Sequence, residues 1–288
     1  MTGTYHLWAM IFIGILALFI CAFAYQKRFF TLPAQIVREN EVRFDQLVVI
    51  VTLYFFTILF LSSYIYKAMN AFDPNLSQTS EVTWLNFLIF STVLLLFMLY
   101  FCLMNKQTLR NIFKRNFPEK KSIFYDIGIG IVTLFIAYPL SQFLSLLTEV
   151  ILFYLFKVKQ LPDQIAVEFL KNTLDYPLNF LLATISIVLF APLIEEIVFR
   201  GFLQNFLKKY LGRGSAIYLS SFVFAAVHFR IDQQLANIHI LIILFILGIL
   251  LGFVYEKQKS LFAAISLHAS FNAINVINLL IFKDQSLL

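Results

Sequence analysis

Apolar stretches long enough to cross a bilayer recur along the whole chain, separated by short polar segments. A span needs about 20 consecutive apolar residues, and runs of that kind fall near 5 to 25, 46 to 66, 82 to 104, 123 to 156, 178 to 207, 214 to 229, 238 to 255 and 261 to 282. The pattern predicts an all-α fold, a polytopic membrane bundle of about eight transmembrane helices. Polar interior positions divide it into four parts. Residues 1–105 hold three helices rich in Phe, Leu and Ile and read as an accessory module, and residues 106–122, NKQTLRNIFKRNFPEKK, read as a basic cytoplasmic loop. Residues 123–177 contain a long fourth helix, interrupted by Pro139, and an amphipathic, partly helical outer loop; Pro139 predicts a kink or a continuation beyond the membrane. Residues 178–282 read as the functional core, because the polar residues that occur in spans are concentrated after residue 190.

Composition agrees with the pattern. Of 288 residues, 60% are hydrophobic and only 13% charged, and the mean hydropathy is +0.83, far from the makeup of a soluble domain. Most of the 22 basic residues fall in alternate loops, those around Lys27–Arg43, Lys106–Lys121, Arg200–Arg213 and Lys257–Lys259. By the positive-inside rule those loops are cytoplasmic and both termini lie outside. The net charge of +6 thus reflects topology and contact with the lipid bilayer, and calls for no nucleic acid. The first segment lacks a basic stretch ahead of its apolar run, and Lys27-Arg28 follow it, so it reads as a retained span. Cys21 and Cys102, near inner helix ends, read as packing residues rather than a disulfide.

Charges inside a span cost a few kcal/mol each, yet residues 191–202, APLIEEIVFRGF, contain three. On a helix Glu196 and Arg200 share a face and can pair, whereas Glu195 points elsewhere. Glu195 precedes Gly212, in the expected turn, by nearly as many residues as His228 follows it. A helical hairpin therefore puts the two side chains at similar depth, about 25 Å from the turn. His268, Asn272 and Asn275 form a polar stripe on the last span. His268 starts nearer the inner end than Glu195, a gap that helix tilt would have to close. One carboxylate, two imidazoles and an amide suit hydrolysis: Glu195 with His228 to activate water, His268 with Asn272 to hold an oxyanion. The same groups suit other uses. A zinc ion on Glu195, His228 and His268 is one, although no H-E-x-x-H motif occurs; a proton relay in a transporter is another. A non-catalytic adaptor is a third, with Gly248 and Gly252 spaced for helix contact, although tight packing within the chain is the simpler use of those glycines.

The motifs E-E-x-x-x-R at Glu195, Glu196 and Arg200, F-x-x-x-H at Phe224 and His228, and H-x-x-x-N at His268 and Asn272 occur in order on separate helices. Together they resemble the CAAX prenyl endopeptidase and bacteriocin-processing family, also called Abi proteins. The resemblance covers roughly residues 178–275. It implies a glutamate-dependent intramembrane endopeptidase with a cytoplasm-facing cavity, acting on a membrane-associated protein or peptide. It also implies that Glu195 and His228 activate water, that His268 and Asn272 stabilise the oxyanion, and that Glu196, Arg200 and Phe224 support them; the metal question stays open. Compact size and simple topology favour a bacterial inner membrane, where a prenylated substrate is not expected.

Overall fold

The computed structural model describes residues 2–33, 42–113, 122–158, 161–162 and 164–281. Among these the chain forms nine helices and no sheet: α1 (Thr2–Gln26), α2 (Phe44–Phe72), α3 (Gln78–Leu103), α4 (Lys106–Phe113), α5 (Ile123–Phe156), α6 (Ile165–Lys171), α7 (Pro177–Ala226), α8 (Ala236–Gln258) and α9 (Leu261–Ile281). All except the short α4 and α6 are long and apolar enough to cross a membrane, which makes seven candidate spans among the described residues. The two expected spans at 178–207 and 214–229 belong to one helical run, α7. It turns back on itself at Gly212, whose φ of 75° and ψ of 173° lie outside the helical region. Counted as two legs, α7 restores the eight segments read from the hydropathy pattern.

The expected basic loop at 106–122 begins as a helix, α4, and its residues 114–121, with four of its basic side chains, lie outside the described residues, as do Arg38, Lys159 and Lys283. Helix α5 runs unbroken through Pro139 for 34 residues, about 51 Å at 1.5 Å per residue and well beyond a hydrocarbon core of about 30 Å. It is the central strut, against which α1, α9 and α8 all pack. Ser122 caps its start, accepting from the Tyr125 amide at 3.2 Å, and Lys157 ends it in the left-handed region at φ 58°.

Between α5 and α9 the backbones meet closely. A Cβ placed on Gly130 would fall inside the contact radius of Ser266 Oγ and the Ala263 carbonyl, and Ser266 Oγ donates to the Ile127 carbonyl at 3.1 Å. Apolar burial gives little driving force between helices in lipid, so such small-residue packing and interhelical hydrogen bonds hold the spans together. Gly130→Ala is expected to push α9 off α5 at a cost of about 1–3 kcal/mol, read as a lowered midpoint in thermal unfolding of the detergent-solubilised protein. Gly128→Ala, where a Cβ would meet nothing within 4 Å, leaves that midpoint unchanged.

Candidate active site

The site is built on the α7 hairpin. Its legs pair antiparallel around Gly212: Ser220 Oγ donates to Gln204 Oε1 at 3.3 Å, the Phe224 and Phe199 rings meet edge-to-face at 5.2 Å, and the Arg200 guanidinium sits 4.5 Å from the Phe224 ring centroid. This register carries Glu195 and His228 to matching depth. Helix α8 then runs parallel to the first leg. Arg200, Gln204 and Lys208, one turn apart, meet the Gly248 carbonyl (3.1 Å), the Gly252 carbonyl (3.2 Å) and the Glu256 carboxylate. Gly248 and Gly252 therefore face inward: a Cβ on Gly248 would lie 2.9 Å from Ser221 Cβ, and one on Gly252 2.6 Å from Gln204 Oε1. The glycine face that a partner helix would need is filled by the protein's own hairpin.

Glu196 and Arg200, both 0% exposed, form the expected pair at 2.7 Å. The same Glu196 Oε1 also receives His268 Nδ1 at 2.8 Å, a contact that helix spacing within α7 cannot disclose. A carboxylate paired with a guanidinium only accepts, so Nδ1 carries the proton and Nε2 is the ring atom left for other chemistry. Nε2 lies 3.8 Å from Glu195 Oε2, and the Glu195 side chain is 15% exposed where its neighbour is sealed. His268 and Glu195 thus meet despite the depth gap anticipated between them. His268, rather than His228, is the imidazole whose contact with Glu195 is resolved; among the described residues no hydrogen bond or ion pair joins His228 to either glutamate.

His228 is fixed by its own helix end. Its Nδ1 donates to the Phe224 carbonyl at 2.8 Å, which leaves Nε2 unprotonated in the neutral ring. Phe224, fully buried, spaces the two imidazoles: its ring meets that of His228 at 5.1 Å and that of His268 at 5.8 Å, both edge-on. The leg ends in a loop clamped by Asn237, which accepts from the Arg230 amide at 3.0 Å and donates to its carbonyl at 2.5 Å. Asn272 donates to the Ile187 carbonyl at 2.9 Å. Ile187 lies in a π-helical stretch, Ser186–Phe190, and a second such stretch, Ile197–Gln204, directly follows the two glutamates. Local π-helix is a frequent mark of functional sites. Among the described residues no three His, Cys, Asp or Glu side chains gather as a metal-holding group, so Glu195, His228 and His268 as arranged do not fit a zinc site.

Residues 177–274 match the family model described as type II CAAX prenyl endopeptidase Rce1-like. The segment is similar to the domain that this family shares. No curated protein and no solved structure matches the chain. The Rce1-like domain coincides with the hairpin, α8 and most of α9 and contains every candidate residue above, whereas α1 to α6 lie before it. Membership points to a protease acting on a protein.

The domain holds a second buried polar network, which spacing along a single helix does not disclose. Lys208 does not serve as a loop charge: it is buried and paired with Glu256. Asn205 donates to the Gly201 carbonyl at 2.8 Å and to Tyr255 Oη at 2.5 Å, and Tyr255 donates in turn to the Ile112 carbonyl of α4 at 3.1 Å. The clue available in the sequence was the matching four-residue spacing of Arg200, Gln204 and Lys208 and of Gly248, Gly252 and Glu256.

Removing one member of a buried ion pair strands the other, at a cost of about 3–5 kcal/mol. Arg200→Met is therefore expected to lower the unfolding midpoint sharply. Adding Glu196→Gln to Arg200→Met should cost much less than Glu196→Gln costs alone, as coupled residues do; a double-mutant cycle on the solubilised protein measures the difference, and simple additivity contradicts the pairing.

Proposed function

We propose that the protein is an intramembrane endopeptidase that hydrolyses a peptide bond of a membrane-associated protein or peptide at Glu195. One observation carries the reading: within an Rce1-like domain, Glu195 is the partly accessible carboxylate of an otherwise sealed pair, facing an imidazole whose other nitrogen is anchored to Glu196. An oxygen at ordinary hydrogen-bond distance, about 2.8 Å, from both Glu195 Oε2 and His268 Nε2 fits across their 3.8 Å separation.

In this mechanism Glu195 takes a proton from water as its oxygen attacks the carbonyl carbon, and the unprotonated Nε2 of His228 accepts the water's second hydrogen bond. Negative charge then develops on the former carbonyl oxygen. His268, in its imidazolium form, donates through Nε2 to that oxygen, and the Asn272 amide hydrogen not used on Ile187 does the same. Collapse breaks the C–N bond, and Glu195 returns its proton to the departing amine. Low dielectric strengthens each of these interactions. Glu196 orients His268 as well as neutralising Arg200, a double duty supported by the shared Oε1.

The charge pattern of the loops supports an orientation with the Gly212 turn towards the cytoplasm and both termini outside, and the compact size and simple topology favour a bacterial inner membrane. Mass-spectrometric comparison of membrane peptides from cells expressing the wild type and Glu195→Ala at matched levels tests the function. Fragments absent from the mutant are expected and identify the substrate; identical peptide profiles from two folded proteins contradict the proposal.

A further inference from the structure

A separate cluster of titratable and hydroxyl side chains lies where the start of α8 meets the C-terminal half of α5. His239 stands in the first turn of α8. Ser145 and Thr148 of α5 face its ring, with Glu149 beside Ser145. The Thr148 hydroxyl donates to the Leu144 carbonyl of its own helix at 2.7 Å, so its oxygen, 2.9 Å from His239 Nδ1, accepts from the ring. The Ser145 hydroxyl donates to Glu149 Oε1 at 3.2 Å, which leaves its oxygen to accept from His239 Nε2 in a longer contact of 3.5 Å. Each ring nitrogen thus meets an oxygen whose own proton is spent elsewhere. Only an imidazolium, protonated at both nitrogens, donates to both. Its countercharge is the Glu149 carboxylate, one hydroxyl away and the one charged residue of α5 between Asp126 and Lys157. Hydroxyls alone would be interhelical glue; an imidazole and a carboxylate on either side of one hydroxyl make a place for a proton.

The same turn of α8 holds the chain that carries His228. Asn237, two residues before His239, accepts from the Arg230 amide at 3.0 Å and donates to its carbonyl at 2.5 Å, and Arg230 follows His228 by two residues. A shift of α8 against α5 is therefore passed to the end of α7. The other titratable groups on the elements packed here are His6 of α1, His268 of α9, and Glu195, Glu196 and His228 of α7. Arg230 and Asp232, in the loop between α7 and α8, pair with each other at 3.0 Å.

We infer that Ser145, Thr148, Glu149 and His239 form a proton-binding site that latches α8 to α5 and so sets the position of the His228 end of α7. Loading moves one proton from water to His239 Nε2, after which both ring N–H groups hold hydroxyls of α5. When pH rises and Nε2 loses that proton, Nε2 and Glu149 Oε1 compete for the single proton of Ser145. The link from Ser145 to α8 then holds only by leaving Glu149. The site and its latch rest on these contacts and not on the endopeptidase reading.

Full-length protein labelled with nitrogen-15 at histidine and solubilised in detergent tests the site by NMR, with His239 and His228 assigned by loss of their signals in His239→Gln and His228→Gln. The expected result is a His239 Nδ1 that keeps its proton throughout and an Nε2 that gains one as pH falls. Glu149→Gln, which removes the countercharge and keeps the side chain's size, is expected to require about tenfold more acid for that step. Ser145→Ala, which cuts the link to the carboxylate, acts in the same direction. The His228 resonances should show an inflection at the His239 midpoint, absent from His239→Gln. An Nε2 that stays bare at every pH where the wild type is folded, or whose protonation is indifferent to both α5 variants, overturns the proton site. His228 resonances that do not follow the His239 step overturn the latch.

Discussion

A single carboxylate oxygen, Glu196 Oε1, receives both the Arg200 guanidinium and the His268 imidazole, and the arrangement of the domain depends on it. The cation cannot be left alone at membrane depth, so Arg200 draws in the Gly248 carbonyl and the Phe224 ring as well. Glu196 and Arg200 on the first leg, Phe224 on the second, Gly248 on α8 and His268 on α9 are thereby tied together. Satisfying one buried charge thus fixes the relative positions of the elements that carry Glu195, His228 and His268. Satisfaction is incomplete: Glu196 Oε2 and Arg200 Nε are buried without hydrogen-bond partners. The pair is a device for geometry more than for stability, consistent with the modest net worth of buried ion pairs.

Close backbone approach makes the network reachable. Arg200 and Gln204 meet α8 through carbonyl groups because Gly248 and Gly252 leave those carbonyls uncovered, and α9 brings His268 to Glu196 while its far side packs against Gly130 of α5. The π-helical stretches on either side of the glutamates work in the same direction, since Asn272 and Asn205 bond to carbonyls within them. Small residues set the distances and polar side chains fill them, the usual division of labour between helices that gain little from apolar burial.

Much of this could be read in the sequence because it depends on spacing. Hydropathy located the spans, with α5 bounded by the expected residues 123 and 156; the four-residue interval paired Glu196 with Arg200; and symmetry about Gly212 brought Glu195 and His228 level. Contacts between distant elements were the ones missed. His268 reaches Glu196 across 72 residues, and Tyr255 reaches Ile112 across 143, and no periodicity within one helix encodes either. Lys208 falls within the basic segment 200–213 yet is a buried ion-pair member, because its partner, Glu256, lies 48 residues away.

Glu196 holds His268 through Nδ1, leaving Nε2 towards Glu195. Nitrogen-15 NMR of the detergent-solubilised protein labelled at histidine, with His268 assigned by loss of its signals in His268→Gln, measures this directly. The expected result is a His268 Nδ1 that is protonated and whose resonance moves when Glu196 is changed to Gln. A His268 protonated on Nε2 alone, with a bare Nδ1 indifferent to Glu196, would contradict it.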